Sequence, residues 1–334
     1  MASIKDVARE AGVSVATVSR VCNDSGVVSD STRKHVLDIA AKLGYSPHAA
    51  ARSLITSRTS TLGVLLPDLY GEFFSEVIRG IDRAVQASGY HLLVSRSHGD
   101  DREIVAAFRA MRGRVDGLLV MSPDLDARNA VSSLRDHFPV VLLNCPAELD
   151  QHDSIVIANY EGASEALRHL VQRGHRRIAM ITGLPRNYDS GERLRAFRDL
   201  TRQAGIARED AIELDGDFTE ASGFRAGQAI LDASPRPTSV FAANDSMAIG
   251  ALSALRAGGL RVPEDISVVG FDDIPLARYM NPPLTTVHVD ISTLGVRATE
   301  RLLEHVRDGN GAVRQRELVP AHLVVRSSCG SPAA

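Results

Sequence analysis

Three side chains near the N-terminus have the chemistry needed to read the edges of DNA bases. Val15 and Ala16 can make apolar contacts with thymine methyl groups, and Arg20 can donate two parallel hydrogen bonds to guanine. A good bidentate pair discriminates against the wrong base by about 1–3 kcal/mol. The neighbouring polar residues that can hold phosphates are Thr17, Ser19 and Asn23. Base reading by these residues requires a helix whose start enters the major groove.

The surrounding sequence predicts such a helix within a helix-turn-helix. Ser3 followed by Asp6 has the form of a helix start, and Gly12 suits the left-handed backbone of a tight turn. A second helix is predicted from Val15 to about Cys22 and a third from Ser31 to Leu43, from their apolar spacing. Two short helices joined by a glycine turn are typical of DNA-binding heads. The alternative is a small three-helix bundle with no DNA-binding role.

The sequence of residues 46–54 predicts a short helix after the head. Ser46 can cap it, and Pro47 suits its first position. Because so short a helix is marginal in water, we expect it to form only when another surface packs on it. Its alanines would let two copies approach closely in a dimer, and Leu54 would form an apolar tip that wedges between base pairs from the minor groove. The alternative is a plain interdomain helix with Leu54 in a core.

Strand-like apolar runs alternate with amphipathic helices from residue 61 onwards. The strand-like runs are LGVLLP, YHLLVS, GLLVM, VVLLN, SIVIA, RIAMITG, SVFAAN and DISVVGF. The main predicted helices are Phe73–Ser88, Arg102–Arg112, Glu192–Ala204 and Asp245–Ala257. This alternation predicts an α/β body whose parallel sheets are covered by helices, and its length fits two such sheets better than one. A ligand is then expected in the crevice between two lobes, at the carboxyl ends of the strands.

The body carries none of the common enzyme motifs. No lysine follows Lys42, which excludes a phosphate-binding GK[ST] loop, and there is no GxGxxG, GxSxG or HExxH motif. Asp272 and Asp273 are neighbours at a predicted strand end, where successive side chains point apart. His175 and His288 have no partner nearby in the sequence. We therefore expect no catalytic activity, no cofactor and no metal.

Charge is distributed unevenly along the chain. The net charge is −3 overall, but it is +3 over residues 1–60, which contain every lysine. A mildly basic head on an acidic body suits phosphate contact at one end only. The three cysteines are far apart, as is usual for reduced thiols, and the N-terminal residues do not form a secretory leader. No apolar run approaches the roughly 20 residues of a membrane span, so we expect a cytoplasmic protein without a membrane partner.

The head and the segment after it resemble a known family. IKDVAREAGVSVATVSRVCND, followed by LGYSPHAAARSL, is similar to the head and hinge helix of the LacI/GalR (lactose/galactose repressor) family. The resemblance implies a dimer on a pseudo-palindromic operator, with Val15, Ala16 and Arg20 reading each half-site. It also implies that His48 and Ala51 line the DNA-facing side of the hinge, and that Leu54 inserts at the central base step.

The resemblance continues through the body. GHRRIAMITG, NDSMAIGAL, VPEDISVVGFDD and PPLTTVHVD are similar to the effector-binding core of this family, which resembles periplasmic sugar-binding proteins. The residues that this resemblance places around the effector are Phe73, Phe74, Arg193, Phe218, Asn244 and Asp272. Aromatic walls suit the apolar face of a sugar ring, and amide and charged groups suit its hydroxyls. The alternatives are that the two adjacent phenylalanines belong to the core, that Arg193 is solvated or makes an ordinary ion pair, and that Asn244 and Asp272 only cap neighbouring elements.

Several positions near the expected pocket depart from the family pattern. Gly71-Glu72 stands where Asn-Pro is common, and Cys145 stands where arginine is common. Ala158 replaces a common aspartate, and Val289 replaces a common glutamine. Because these changes remove polar groups, a pentose or hexose recognition scheme does not transfer intact. Glu72 would favour an amino or otherwise cationic group if it faces the pocket; exposure to solvent is the alternative.

These patterns predict a helix-turn-helix domain at 1–46, a hinge helix and linker at 47–60, and an effector-binding and dimerisation domain at 61–330. Lobe one is expected at about 61–158 and 288–318, and lobe two at about 159–287 and 319–329. The expected function is that of a transcriptional repressor whose affinity for double-stranded DNA is controlled by a small molecule such as a sugar derivative. With no leucine heptads near the C-terminus, a homodimer is expected rather than a tetramer. The rival functions are a binding protein without regulation and an architectural DNA protein.

Overall fold

The computed structural model describes residues 2–22, 26–45, 58–97, 101–122, 138–145, 152–308 and 315–332. They divide into two compact units. One unit is a head that ends at Ser60 and includes residues 113–116, and the other is a body that contains the remaining residues. No helix among the described residues is long and apolar enough to cross a membrane.

Three helices form the head: α1 (Ile4–Glu10), α2 (Val15–Cys22) and α3 (Asp30–Lys42). The Ser3 hydroxyl accepts a hydrogen bond from the backbone N–H of Asp6, whose carboxylate accepts one from the backbone N–H of Ser3 at 2.9 Å. This reciprocal pair satisfies two of the N–H groups that a helix start leaves free. The predicted helix start is confirmed, and α2 has the bounds that the sequence predicted.

A small apolar core holds the head together. Its buried members are Val7, Ala8, Ala11, Val18, Val21, Val36 and Ala40. Gly12 has a φ of 62°, which lets the chain turn sharply between α1 and α2 at no side-chain cost. Since Val18 and Val21 are the buried residues of α2, the opposite face of that helix is left for other contacts.

The body contains two sheets of six strands each. The first is built from β1 (Thr61–Leu66), β2 (His91–Arg96), β3 (Gly117–Met121), β4 (Val140–Leu143), β5 (Asp153–Ile157) and β11 (Arg316–Val319). The second is built from β6 (Ile178–Ile181), β7 (Ala211–Leu214), β8 (Ser239–Ala242), β9 (Ser267–Asp272), β10 (Thr285–Val289) and β12 (Ala321–Val324). Their orders are β11-β5-β4-β3-β1-β2 and β12-β10-β9-β8-β6-β7. All pairs are parallel except β10 with β12. The predicted fold class is confirmed.

In the part of the body that the structure describes, seven helices flank the sheets: α4 (Glu72–Ala87), α5 (Asp101–Met111), α6 (Asn159–Gln172), α7 (Tyr188–Gln203), α8 (Glu220–Asp232), α9 (Asp245–Ala257) and α10 (Ile291–Asp308). Two 3-10 helices occupy Arg208–Asp210 and Pro275–Tyr279. Strands β3, β4 and β8 are buried along their whole length, as strands covered on both faces must be. Their continuous apolar sequences follow from this environment.

The chain passes between the two sheets three times. It leaves the first sheet after β5, returns after β10, and leaves again between β11 and β12. Strand β10 keeps residues 288 and 289 in the second sheet, so the second passage follows Val289. Val319 belongs to the first sheet, and the third passage occurs at Pro320.

Close packing of α4 against α10 leaves no room for a side chain at Gly80. A Cβ on Gly80 would lie 2.0 Å from the backbone oxygen of Ser292, so alanine requires the helices to separate. We expect Gly80→Ala to destabilise the body by about 1–3 kcal/mol or more, the usual range for overpacking.

Gly191 is the matched control, because it lies within α7 with no atom within 4 Å of the added methyl. Gly191→Ala should stabilise by about 0.5–1 kcal/mol. Unfolding in urea followed by circular dichroism measures both, and equal effects would contradict the packing argument.

Candidate ligand cavity and nucleic-acid interface

The exposed face of α2 carries the residues predicted to read bases. Val15, Ala16 and Arg20 are all exposed, and Val15 retains 41% of its accessible surface. Thr17 and Ser19 are half-buried, and the Thr17 hydroxyl lies 2.9 Å from that of Ser14 at the start of the helix. The structure thus brings together five of the predicted contacts on one short helix. Asn23, His48, Ala51 and Leu54 lie outside the described residues, and their roles stay predictions.

A cavity of about 290 Å³ lies between the two sheets of the body. It opens where β1, β2 and β3 of the first sheet and β6, β8 and β9 of the second reach their carboxyl ends. This is where ligands bind in open α/β sheets. All six residues predicted from the sequence line it: Phe73, Phe74, Arg193, Phe218, Asn244 and Asp272.

Arg193 lies at the inner end of this cavity with only 3% of its side chain exposed. Its Nε donates to the Asn159 side-chain oxygen at 2.8 Å, and its Nη1 donates to the backbone oxygen of Ala243. Its Nη2 lies 3.4 Å from Asp272 Oδ1, and its guanidinium carbon lies 3.7 Å from the centre of the Phe271 ring. Arg193 therefore makes an ion pair and also lines the cavity. A place in the cavity lining and an ion pair, which the sequence offered as alternatives for Arg193, are therefore compatible.

Asp272 ends β9 in an uncommon backbone conformation. Its φ is 106°, and that of Asp273 is 53°. Asp245, the first residue of α9, holds this turn by accepting a hydrogen bond from the backbone N–H of Ile274 at 2.9 Å. Asp272 Oδ1 has no hydrogen-bond partner among the described residues, although Asp272 is only 4% exposed. Strain and an unsatisfied buried oxygen often mark functional sites.

Burial raises the pKa values of the carboxylic acids around Arg193. The pKa of Asp272 rises from 3.8 to about 7, because desolvation and the neighbouring Asp189 outweigh the effect of Arg193. The pKa of Asp189 rises from 3.8 to about 6, again through desolvation, which Arg193 and the Asn159 amide only partly offset. The pKa of Asp245 is also raised well above its usual value, first by burial and then by Asp272. Asp189 therefore makes Asp272 harder to ionise, and Asp272 does the same to Asp245.

Aromatic rings form the apolar walls of the cavity. Phe73 and Phe74, in the first turn of α4, meet edge to face with ring centres 5.4 Å apart. They also pack against the core of the body, so the same two rings line the cavity and extend the core. Phe218 enters from the second lobe with a φ of 69°, and its ring lies so close to Gly183 that a Cβ there would clash at 2.2 Å. Asn244 donates to the backbone oxygen of Phe218 at 3.0 Å and also caps α9.

Several lining residues were not predicted from the sequence. They include Asp68, Arg96, Asn187, Asp189, Asp217, Thr219 and Ser246. Of these residues, Asp189 could have been predicted from the sequence, because it precedes Arg193 by four residues and so shares a face of α7. Its carboxylate accepts hydrogen bonds from the amides of Asn159 at 2.7 Å and Asn144 at 3.3 Å. Arg96 ends β2 and Ser246 lies in the first turn of α9, whereas Asp68, Asn187, Asp217 and Thr219 precede or follow regular elements, in segments whose shape the sequence pattern does not define.

Hydrogen bonds between described residues join the two lobes. The Asn144 amide of the first lobe donates to Asp189 of the second at 3.3 Å, and Arg316 donates to the Tyr188 hydroxyl at 3.0 Å. Glu72 lies on the cavity rim, where its carboxylate accepts from the backbone N–H of Leu276 at 3.1 Å. Glu72 is therefore a half-buried residue at the rim, and whether its carboxylate meets a ligand stays a prediction.

Comparison with known proteins now identifies the family. Residues 3–48 match the model described as bacterial regulatory proteins, lacI family, and residues 167–329 match a periplasmic binding protein-like domain. The HTH-type transcriptional repressor PurR of Aliivibrio fischeri (strain MJ11) is 39% identical over 332 residues, which cover 98% of each chain. The repressor of the same name from Erwinia tasmaniensis is 40% identical over 338 residues, covering 99% of this chain and 98% of that one. The chain belongs to the LacI family.

Solved structures agree with this assignment. The Lac repressor dimer bound to operator and the anti-inducer ONPF matches this LacI-family chain with a TM-score of 0.88 and 32% identity, over 99% of both chains. The complex of the regulator CelR with cellobiose matches with a TM-score of 0.72 and 30% identity, over 98% of this chain and 100% of that one. The predicted family and function are confirmed: this is a DNA-binding transcriptional regulator with a helix-turn-helix head and a periplasmic-binding-protein-like body. The curated relatives named above are repressors, not enzymes.

The raised pKa of Asp272 predicts a pH-dependent stability. Well below pH 4 Asp272 is protonated in the folded and the unfolded chain, so its ionisation does not affect stability. As pH rises from about 4 to about 7 the unfolded chain ionises more readily, and the folded chain loses up to about 4 kcal/mol of stability, at about 1.4 kcal/mol for each pH unit. Relative to the parent, Asp272→Asn should therefore become progressively more stable between pH 5 and pH 7, with no further gain above about pH 7.

Comparing the parent with Asp272→Asn isolates the contribution of Asp272 to the pH dependence of stability. The lowered pKa values of His169 and His175, caused by burial, act in the opposite direction below about pH 6.5, but they act equally in both proteins. Thermal unfolding of the ligand-free chain at several pH values measures the difference. A difference between parent and variant that does not change with pH would contradict an ionisation penalty at Asp272.

Proposed function

We propose that this LacI-family regulator is a homodimeric repressor whose operator affinity is controlled by a small molecule, such as a sugar derivative, bound in the cavity. The observation that carries the proposal is the cavity itself: both lobes line it, and it combines aromatic walls with a buried guanidinium and an unsatisfied carboxylate oxygen. Polyols present an apolar ring face and a rim of hydroxyls, and such a set of groups can bind both. The curated relatives, which are repressors, favour regulation over catalysis.

The head supplies the other half of the function. In a helix-turn-helix the second helix enters the major groove, which would place the exposed Val15, Ala16 and Arg20 against base edges. A dimer would place two heads about one DNA turn apart on a pseudo-palindromic operator. Solved structures of relatives contain such partners: the Lac repressor is a dimer with operator, and CelR holds cellobiose.

Effector and operator would be coupled through the lobes. A ligand that changes the closure of the cavity changes the distance between the two hinge segments of a dimer. Their paired folding in the minor groove then becomes easier or harder. A coupling free energy of about 3 kcal/mol would alter operator affinity by roughly 100-fold, within the usual range for allosteric proteins. Fluorescence anisotropy of a palindromic operator at fixed salt, with candidate effectors added, tests this function.

Replacement of Arg20 tests base reading. Arg20→Ala should cost about 1–3 kcal/mol on the intended operator and relax specificity at one position of each half-site. Anisotropy with operators altered at single positions measures both effects. Binding to an unrelated duplex is the control, because it reports phosphate contacts alone. An equal loss on every sequence would make Arg20 a phosphate contact instead.

Replacement of Leu54 tests the wedge predicted for the hinge. Leu54→Ser removes the apolar group expected to enter the minor groove, so operator affinity should fall by about tenfold or more while effector binding is unchanged. Calorimetric titration of effector and anisotropy of operator measure the two effects separately. Unchanged operator affinity would place Leu54 in an ordinary interdomain core.

A further inference from the structure

The described lining of the cavity carries more negative than positive charge. Five carboxylates and two guanidiniums line it: Asp68, Glu72, Asp189, Asp217 and Asp272 against Arg96 and Arg193. At the mouth, Asp68 pairs with Arg96 at 3.4 Å, and Asp217 lies 3.4 Å from Arg225, which is outside the lining. Glu72 has no cationic partner among the described residues and accepts only a backbone N–H.

The imbalance is sharpest at the inner end, where water is scarce. Asp189 and Asp272 are 9% and 4% exposed, and Arg193 is the cation that faces both. Asp189 is held by two side-chain amides, which donate hydrogen bonds but cancel no charge. Asp245, fully buried behind them, adds a third carboxylate whose donors are the Thr286 hydroxyl and a backbone N–H.

Asp272 provides an independent sign of a missing ligand group. Its Oδ1 is enclosed and lacks a hydrogen-bond donor, and the nearest cationic atom, Arg193 Nη2, is 3.4 Å away. Arg193 directs its other two donor nitrogens at Asn159 and Ala243, so it does not satisfy this carboxylate fully. A donor supplied from the cavity side would complete the site.

The charge of that donor decides the ligand class. A hydroxyl would satisfy one oxygen, but a neutral ligand would also displace water, which raises the already raised pKa values of Asp189 and Asp272 further and leaves their ionised forms without a second cation. Burying an uncompensated charge is among the costliest events in a protein interior. A protonated amine both donates hydrogen bonds and cancels the surplus, and charge-assisted bonds are roughly twice as strong as neutral ones. The aromatic walls of Phe73, Phe74 and Phe218 can still contact a ring.

We propose that the effector carries a protonated amine on a small hydroxylated ring, and that this amine binds the Asp272 carboxylate at the inner end of the cavity. The inference rests on the proposed function, because it concerns the ligand of the same cavity. Glu72, on the rim of the first lobe, adds negative potential that favours entry of a cation. The volume of about 290 Å³ suits a compound of monosaccharide size rather than an oligomer.

Matched pairs of compounds test the charge directly. The full chain is bound to its fluorescent operator at fixed salt and pH 7, and glucosamine, galactosamine and mannosamine are compared with glucose, galactose and mannose and with the three N-acetyl derivatives. At least one amine should shift operator affinity by about tenfold or more, whereas its neutral partners should shift it less than about threefold. Neutral partners that act as well as the amine would overturn the proposal, as would three inactive amines.

Two variants distinguish charge recognition from shape. In Asp272→Asn the preference for the amine over its neutral partners should fall below about threefold, since each 1.4 kcal/mol of lost interaction is a factor of ten. Asparagine also tolerates positive φ, so the turn is retained. Asp232→Asn removes a carboxylate on the exposed end of α8, far from the cavity lining, and should keep the full preference. A preference that survives in Asp272→Asn would refute the assigned contact.

The same assay separates this inference from the proposed function. If neutral hexoses shift operator affinity and amines do not, the regulator stands and the amine assignment fails. If the chain does not bind operator DNA in any condition, the proposed function itself fails.

Discussion

The buried guanidinium of Arg193 is the interaction on which the ligand cavity depends. One side chain is bonded to the start of α6 through Asn159, to the end of β8 through Ala243, and lies against the end of β9 at Asp272. A charged group with 3% exposure is tolerated only when its donors are occupied and an opposite charge is near. Removing it would leave Asp189 and Asp272 facing each other without a cation. The inner wall of the cavity thus has one common support.

The turn after β9 shows how far this constraint extends. Asp272 and Asp273 both have positive φ, a conformation that costs aspartate free energy and persists only when neighbours fix it. Asp245 supplies the fixation from α9, and it fits only because position 270 is glycine: a Cβ there would lie 2.1 Å from Asp245 Oδ1. On the far side, Arg326 donates to Asp273 at 2.6 Å. Backbone strain and burial are therefore concentrated at an acidic residue that lines the cavity.

The sequence predicted the elements better than the contacts between them. Hydrophobic periodicity and capping signals located α2 and α9 to the residue, because these signals are local. The resemblance to a family supplied the six lining residues. What it could not supply was their state: that Arg193 is bonded to Ala243, or that Asp272 has an unsatisfied oxygen. Such contacts join residues far apart in the sequence, as Arg193 and Ala243 are. Burial, which raises the pKa values, likewise has no local signal in the sequence.

Glu72 illustrates the limit most clearly. Its position before two phenylalanines indicated a departure from the family pattern, yet exposure and a pocket-facing position were equally compatible with the sequence. The structure shows it half-buried at the first turn of α4, bonded to Leu276 across the cavity mouth.

The position of Asp189 explains why charge in the cavity and closure of the lobes are linked. Its carboxylate accepts hydrogen bonds from Asn144 in the first lobe and from Asn159, which begins the helix after the first passage between lobes. Asn159 in turn accepts from Arg193. A ligand bound beside Arg193, Asp189 and Asp272 would therefore lie next to the hydrogen bond that joins Asp189 to the first lobe at Asn144. That bond, at 3.3 Å, is longer than the 2.7 Å bond to Asn159 within the second lobe, and a longer hydrogen bond is a weaker one. The groups that form the inner end of the cavity thus also join the two lobes.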